Sequence, residues 1–425
     1  MDNENQAGQI FEGLLFPRIF RSFRMAIQPS KLIIAMLMIT AIGLTGWVMD
    51  LPKTVVTTPM AGARETELNI YMISPAQLDS YIAKYQHSPE QTGVFTTLWH
   101  FGRDRFHGVL RNLFSMNLPG ILDNVYEYLQ AMEWAVRYHP AYCVIFAVIT
   151  LCIFSIFGGA ICRIAALQFA REEKPGISEA LRFSIKKFWG FFTTPLVPLG
   201  IAAIIWAFIF LIGILGNIPF GVGEILVGIF MWLALPAGAV VAAVIIGTVA
   251  GFNLMFPAIA YDGSDSMDAV SRSFNYVYAR PWRMGVYTFA AFIYGAICYI
   301  FVRFFAYLLL WSTYRGLRLG AGLDSARGLP DKVAAIWPEP TFHELLAYST
   351  EAGSLSEKTA ALLVYLSALV VIGLVVSFII SFYFSSNTII YALIRNKVDN
   401  TPLEEIYTEP QEIKLQQAQQ EQPSA

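Results

Sequence analysis

Two histidines and an aspartate are the side chains whose types and spacing come nearest to a chemical site. His100, Asp104 and His107 follow one another at intervals of four and three residues, which places them on one face of a helix. Imidazole and carboxylate groups could bind zinc there or support proton transfer. Arg103 and Arg105 adjoin them, and no further histidine or cysteine is close in the sequence. A solvated polar face is the favoured interpretation, and a metal site is the alternative.

A single arginine, Arg303, lies within a long apolar stretch. An ionisable residue inside a membrane segment is a functional hypothesis by default, so Arg303 is a candidate membrane-embedded contact for a substrate or partner. The competing interpretation is that its long side chain reaches the membrane surface among aromatic residues. Those aromatic residues are Phe301, Phe304, Phe305, Tyr307 and Trp311.

The composition excludes a large soluble enzyme. Hydrophobic residues make up 56% of the chain and charged residues 14%, against about 45–50% and 25% in soluble proteins. The net charge of −2 gives no reason to expect a nucleic-acid partner. No nucleophile-elbow or phosphate-loop motif occurs, so we expect no catalytic residues and no cofactor. The four cysteines fall in apolar stretches, where they are expected to serve as packing residues.

Uncharged runs of at least 18 residues predict six transmembrane helices. A helix needs about 20 apolar residues to cross the hydrocarbon core, and within lipid its backbone bonds to itself. The predicted fold class is therefore all-α integral membrane. The predicted spans are 32–49, 141–162, 192–215, 225–250, 285–309 and 360–386.

Basic residues flank these helices mainly at the ends that would face one compartment. Arg18, Arg21 and Arg24 precede the first helix, whereas the connection 217–223 has no basic residue. The positive-inside rule then predicts that both termini lie in the cytoplasm. The predicted location of the chain is the inner or plasma membrane of the cell. The first helix is expected to be an uncleaved anchor, because its small-residue stretch lies too far beyond the apolar run for a signal-peptide cleavage site.

Between and beyond the spans, the sequence divides into segments of different character. Residues 50–140 are a predicted external region, polar at first and then amphipathic and aromatic-rich. The remaining predicted segments are a basic cytoplasmic stretch at 1–31, a four-helix repeat at 141–309, an external loop at 310–359 and a cytoplasmic tail at 387–425 that is disordered from about 408.

A short motif recurs on the predicted cytoplasmic side. Residues 176–181, 265–270 and 401–406 each have an acidic residue three positions after a candidate helix cap, as in a capping box. The first two copies predict amphipathic helices near 177–190 and 266–279. These helices either lie in the membrane interface or pack on the bundle as ordinary linkers. Their position after equivalent helices predicts a parallel internal repeat.

The apolar faces of the two amphipathic helices follow from a 3.6-residue period. In the second helix the predicted apolar face comprises Val270, Ser273, Phe274 and Val277. In the first helix it comprises Ile177, Leu181, Ile185, Phe188 and Phe192, with Ala180 and Ser184 at its edge.

The stretch from Phe256 to Arg283 contains Asp262-Gly263, Asp268-Ala269, Ser273 and Trp282-Arg283. This progression resembles that of uncharacterised bacterial inner-membrane proteins related to the membrane domain of glycerophosphodiester phosphodiesterases. The resemblance covers about residues 140–400 and implies a helical inner-membrane protein. It carries no catalytic residues, because the phosphodiesterase chemistry of that family belongs to a separate soluble barrel.

Three functions follow as hypotheses. The first is a non-enzymatic scaffold or accessory protein that organises membrane lipids or a membrane protein partner, which includes a second copy of the chain. The second is a permease for a small or lipid-like substrate, indicated by the repeat and by proline-broken helices. The third, with the least support, is a membrane enzyme that uses His100, Asp104 and His107.

Overall fold

The computed structural model describes residues 16–60, 63–85, 91–219, 221–325, 332–346 and 354–408. Within them the chain is largely helical. The helices are α1 Arg21–Ala26, α2 Pro29–Met49, α3 Glu67–Ile73, α4 Leu78–Tyr85, α5 Val94–Phe114, α6 Leu118–Tyr138, α7 Pro140–Ile153, α8 Gly159–Arg171, α9 Ile177–Lys186, α10 Phe188–Thr193, α11 Leu196–Leu215, α12 Val222–Asp262, α13 Ser266–Ala279, α14 Pro281–Ser325, α15 Lys332–Ile336 and α16 Leu355–Val398. The strands are β1 Val55–Met60, β2 Ala63–Thr66 and β3 Gln91–Thr92.

Six of the described helical segments are long and apolar enough to cross a membrane, which confirms the predicted multi-pass membrane protein. They are Pro29–Met49, Pro140–Arg171, Leu196–Leu215, Val222–Asp262, Pro281–Gly320 and Leu355–Val398. The second joins α7 and α8 through a π-helical turn at Phe154–Gly158.

Most of these helices extend well beyond the predicted spans. The prediction of 225–250 became Val222–Asp262, and 285–309 became Pro281–Ser325. The expected external loop at 310–359 is therefore wrong at both ends, because α14 continues into it and α16 begins within it at Leu355. The prediction trimmed the long uncharged runs to about the length that crosses a bilayer, but a helix continues until its backbone is capped or broken.

The chain forms two compact units. One comprises Met1–Ala35, Phe154–Tyr299 and Ser377–Ala425, and the other comprises Met36–Ile153 and Ile300–Val376. The tail predicted to be disordered, beyond residue 408, and residues 1–15 of the predicted basic segment lie outside the described residues.

The second unit contains a small sheet that the all-α prediction missed. Its strands have the order β2-β1-β3 and are antiparallel. The run Val55-Val56-Thr57-Thr58 is β-branched and favours a strand. Val55, Leu68 and Trp134 are fully buried in one apolar cluster, which packs this sheet and α3 against α6.

In the same unit, a carboxylate at the end of the first span caps the next long helix. Asp50 directly follows α2, and its oxygens accept hydrogen bonds from the amides of Phe95 at 3.0 Å and Thr96 at 2.7 Å. These amides belong to the first turn of α5, whose N–H groups have no partner within the helix. The Tyr142 hydroxyl also donates to Asp50, at 3.1 Å.

In the first unit, the predicted helix start at Asp265 is confirmed, with the N-cap half of the capping box formed. The Asp265 side chain accepts a hydrogen bond of 2.9 Å from the amide of Asp268, and α13 begins there. Gly176 precedes α9 without a side-chain cap, as expected for glycine. The third copy of the motif is wrong as a helix start, because residues 401–408 form a turn and extended chain.

The two amphipathic helices bury different parts of their predicted faces. In α13, Val270, Ser273 and Val277 are buried as predicted. In α9 the buried residues are Ala180, Phe183 and Ser184, and the predicted apolar residue Ile185 is 60% exposed. The small residues Ala180 and Ser184 allow α9 to approach α8 closely, and Ile185 lies outside this contact.

Candidate functional site

A buried carboxylate at the end of α12 is the centre of a charged cluster in the first unit. Asp262 lies 3.0 Å from the Nε of Arg395 and 3.3 Å from the Nη1 of Arg272. The Tyr391 hydroxyl also donates a hydrogen bond to it. The Asp262 and Arg395 side chains are only 7% and 9% exposed, so each depends on the other for compensation of its charge.

Helix α13 supplies the second arginine and positions it from within its own first turns. Arg272 lies four residues after Asp268 and donates to it at 2.8 Å through Nε. Burial alone would lower the pKa of Arg272, but the hydrogen bond to Asp268 and the charge of Asp262 raise it above the usual value. Arg272 therefore stays protonated between two carboxylates.

The chain after α16 lies across this cluster and is bound to it mainly through its backbone. The Tyr261 hydroxyl donates to the carbonyl of Leu403, and the Tyr407 amide donates to the carbonyl of Tyr261 at 2.9 Å. Arg395 donates to the carbonyl of Glu405 at 2.9 Å. These bonds explain the missing third helix, because side chains distant in sequence have taken the backbone groups that a helical turn would have used.

A buried arginine on α8 holds the same segment from the other side. Arg163 is 2% exposed, and its Nη1 donates to the carbonyl of Tyr407 at 2.9 Å and to that of Ala260 at 3.1 Å. Its guanidinium also lies over the Phe183 ring, 4.5 Å from the centroid. The arginine thus links α12, α9 and the C-terminal segment, which indicates a structural role for it.

Gly263 allows Tyr407 of the 401–408 segment to pack directly against the end of α12. Its φ is +65°, and the Tyr407 ring occupies the place where a Cβ would lie. We expect Gly263→Ala to destabilise the protein by at least about 1 kcal/mol, from the left-handed backbone alone. Protease accessibility of the 401–408 segment should rise with it.

Gly176→Ala is the matched control, because nothing lies within 4 Å of the added Cβ and its φ of −68° suits any residue. Thermal unfolding and limited proteolysis of the full chain in detergent would measure both variants. Equal melting temperatures and equal cleavage rates for the two variants would contradict the close contact with Tyr407.

Between the cluster and the C-terminal segment lies an open groove with a volume of about 510 Å³. Both signs of charge line it, and polar lining groups of this kind can orient a small ligand. The lining residues are Asp262, Arg272, Arg395, Asp399, Thr401, Glu405, Ile406 and Tyr407. Asp399 accepts a hydrogen bond from Tyr276 on α13, and burial followed by this bond raises the pKa of that tyrosine.

A second unusual group of the first unit is a lysine near the start of the first span. Lys31 is fully buried, and its Nζ donates to the Ser385 hydroxyl at 3.2 Å. Among the described residues it makes no ion pair with a carboxylate. A row of buried hydroxyl residues continues along α16 on either side of Ser385, formed by Ser377, Ser381 and Thr388.

The three residues weighed as a solvated polar face or, alternatively, a metal site lie on α5 in the second unit. His100 and Asp104 are exposed, and Asp104 pairs with Arg103 at 3.2 Å. Burial and the nearby charges of Arg303 and Arg103 lower the pKa of His107. Among the described residues no three His, Cys, Asp or Glu side chains are placed to hold a metal ion together. These positive charges would also repel a cation at His107.

Arg303 has a partner that the sequence did not indicate. It is 6% exposed, and it donates to the backbone carbonyls of Phe342 at 3.1 Å and His343 at 3.0 Å. Its guanidinium lies 5.5 Å from the centroid of the Phe342 ring. The side chain thus holds the segment 341–346 instead of reaching outward among the aromatic residues of its own helix. A contact with substrate or partner stays a prediction.

We expect Arg303→Leu to destabilise the second unit by about 1–3 kcal/mol, because two carbonyl groups lose charged donors. Tyr307 and Phe114 also contact the Phe342 ring. Protease cleavage within residues 341–346 directly measures release of this segment from Arg303. Arg303→Lys keeps one charged donor, so its cleavage rate should lie between those of the wild type and Arg303→Leu. Cleavage at the wild-type rate in the leucine variant would contradict this structural role.

The sequence analysis missed Asp262, Arg395 and Lys31 as a site. The available signal for Asp262 was its position as the first charge after a long apolar run, directly before a glycine with helix-capping residues beyond. Arg395 and Lys31 are basic residues that flank apolar runs, and nothing local distinguishes a buried basic residue from an exposed one.

Comparison with known proteins assigns no family to these residues. No protein-family model, no curated protein and no solved structure matches this chain. Within the part of the chain that the structure describes, the groove at Asp262 and the buried Lys31 indicate chemistry beyond packing.

Proposed function

We propose that the protein is a non-enzymatic membrane scaffold or accessory protein that organises lipids or partner proteins. The observation that carries this proposal is the bare surface of the α11–α12 hairpin. Only 11% of the most apolar stretch of α11 is buried inside the structure, and none of the corresponding stretch of α12 is buried. Trp206 and Trp232, 67% and 82% exposed, are examples of the large side chains there. Acyl chains or another membrane protein must cover such a surface.

The bonding of the buried charged side chains within the protein supports the same proposal. The buried charges Asp262, Arg163, Arg303 and Arg395 all bind to other parts of the chain. Their hydrogen bonds are made to the protein's own carboxylate or backbone groups, which is typical of a structural role. The proposed relation to the membrane domain of glycerophosphodiester phosphodiesterases agrees with this, because that resemblance carries no catalytic residues.

Extraction from native membranes without detergent, followed by quantification of co-extracted lipids and proteins, tests the proposal. A photo-reactive residue at position 232 should capture lipid or a stoichiometric protein, whereas one at buried position 134 is the control. A preparation that carries neither a lipid enriched over bulk membrane nor a stoichiometric partner would contradict the scaffold.

We further propose that both termini are cytoplasmic and that α8–α9 and α12–α13 form a parallel repeat, with α9 and α13 in the inner interface. Both pairs place a glycine of the spanning helix against a buried serine of the next helix. These contacts are Gly159 with Ser184, and Gly251 with Ser273. The serine is at the equivalent motif position in both copies.

Thiol labelling tests this topology. Ser178 and Met267 are exposed at the start of the two helices, so Ser178→Cys and Met267→Cys should react with an impermeant reagent from the same, cytoplasmic side. The unsubstituted chain controls for the four native cysteines. Reaction from opposite sides would refute the parallel repeat.

One observation favours the alternative, a permease for a small or lipid-like substrate. Lys31 and the hydroxyl row on α16 are polar groups within membrane-spanning helices, and such groups mark substrate or ion pathways in many transporters. Flux into reconstituted vesicles tests it. A flux that Lys31→Met and Arg303→Leu both leave unchanged would exclude these residues from a pathway.

A further inference from the structure

We infer that the groove at Asp262 binds a phosphoethanolamine group, with the phosphate at Arg272 and the primary ammonium between Asp399 and Glu405. The inference rests on the proposed function, since it names one lipid class that such a scaffold would organise. The groove volume of about 510 Å³ lies in the range of small-molecule sites, roughly 300–1,000 Å³.

The anion position follows from the hydrogen bonds of Arg272. Its Nε donates to Asp268 and its Nη1 to Asp262, but its Nη2 has no acceptor among the described residues. The side chain is 38% exposed and lines the groove. Arg395 also lines it, but its side chain is only 9% exposed, with Nε against Asp262 and Nη1 bonded to the Glu405 carbonyl. Arg272 is therefore the more accessible of the two arginines, with a donor left for a phosphate oxygen.

The ammonium position follows from the acceptors that also line the groove. The Glu405 side chain is 64% exposed, and its nearest cation is Arg395 at 3.8 Å, too far for a hydrogen bond. Asp399 is exposed and receives one hydrogen bond, from Tyr276. Thr401 adds a hydroxyl beside them. Two carboxylates and a hydroxyl match the three N–H donors of a primary ammonium group.

The charge of the lining excludes a simple anion as the best ligand. Asp262, Asp399 and Glu405 contribute three negative charges, and Arg272 and Arg395 contribute two positive ones, so the sum is −1. A phosphate monoester or an anionic lipid headgroup would add to the excess of negative charge. A zwitterion places each of its charges against the opposite sign.

The aromatic content of the groove distinguishes ethanolamine from choline. A quaternary ammonium has no N–H donors and is recognised by aromatic faces. Tyr407 is the aromatic residue among those that line the groove, and its ring already contacts Lys187, at 5.3 Å, and Gly263. The groove thus offers hydrogen-bond acceptors, which suit a primary ammonium group.

A lipid headgroup and soluble glycerophosphoethanolamine share this zwitterionic chemistry, and the position of the groove favours the lipid. Asp262 and Arg395 belong to the ends of two membrane-spanning segments, Val222–Asp262 and Leu355–Val398. A site carried by such ends can be reached by a headgroup whose acyl chains remain in the bilayer.

Lipid binding to the delipidated full chain in detergent, measured by native mass spectrometry, tests the inference. Phosphatidylethanolamine should bind about tenfold more tightly than phosphatidylcholine or phosphatidylglycerol, and Glu405→Gln should remove about that advantage. Glu404→Gln is the matched control, because Glu404 is the exposed neighbour that does not line the groove. Thermal unfolding of both variants would show that the fold is kept.

Soluble glycerophosphoethanolamine, which keeps the zwitterionic phosphodiester of the lipid headgroup, should displace the lipid at high concentration. Equal binding of the three lipids, or unchanged selectivity in Glu405→Gln, would overturn the inference. Binding of the soluble compound without binding of the lipid would also overturn it. None of these results depends on the proposed scaffold function, which fails separately if native membranes yield neither an enriched lipid nor a partner.

Discussion

Lys31→Met should make the protein more stable, by about 1–4 kcal/mol, because a buried charge is replaced by an apolar side chain of similar size. Lys31 is fully buried, and its described hydrogen-bond partner is the neutral hydroxyl of Ser385. A hydroxyl compensates little of the desolvation cost of an ammonium group. Thermal unfolding of the full chain in detergent is the measurement.

Lys174→Met serves as the control for this substitution. Lys174 is exposed between α8 and α9, so its replacement should change the free energy of unfolding by less than about 0.5 kcal/mol. If Lys31→Met lowered the melting temperature, the ammonium group would have a compensating anion. A stabilised variant that loses the biological activity of the protein would show that Lys31 is kept at the expense of stability.

Arg395→Met should have the opposite effect, a loss of about 3–5 kcal/mol. The substitution leaves Asp262 buried without its nearest cation, and it also removes the donor to the Glu405 carbonyl. We expect a large fall in melting temperature and release of the 401–408 segment to proteases. Adding Asp262→Asn should recover part of the loss, because a buried carboxylate that has lost its nearest cation is then removed.

The contrast with an exposed ion pair makes this prediction specific. Arg315 and Glu339 lie 2.8 Å apart, but their side chains are 47% and 39% exposed. Arg315→Met should therefore cost no more than about 1 kcal/mol. Equal losses in Arg395→Met and Arg315→Met would show that burial does not decide the strength of the Asp262 pair.

Local features of the sequence predicted the parts of the fold that local physics determines. Six spans were found because apolar length is sufficient to specify a membrane helix. The cap at Asp265 was found because its donor lies three residues away. The same capping pattern failed at Thr401, where Arg395, Tyr261 and Arg163 bind the backbone of the residues that follow.

The candidate site could not be predicted in this way, because its members are brought together only by the tertiary fold. Arg395 and Asp262 are far apart along the chain, and neither has a feature in its local sequence that indicates the other as its partner. Lys31 resembles its exposed basic neighbours Arg21 and Arg24 in sequence and differs from them only in burial. Arg303 was noticed because of its apolar surroundings, but its partners lie in a segment without regular structure.

The cap that Asp50 places on α5 has a consequence for how the chain can vary. The chain leaves α2 at Asp50 and returns to the same point at Gly93, whose Cα lies against the Asp50 carboxylate. Residues 51–92 are thus an insertion between two points, Asp50 and the start of α5, that hydrogen bonds already join. Doubling the length of such a loop costs only about 0.6 kcal/mol in closure entropy. Chains built on this plan could accept a larger inserted module here with little change in the rest of the fold.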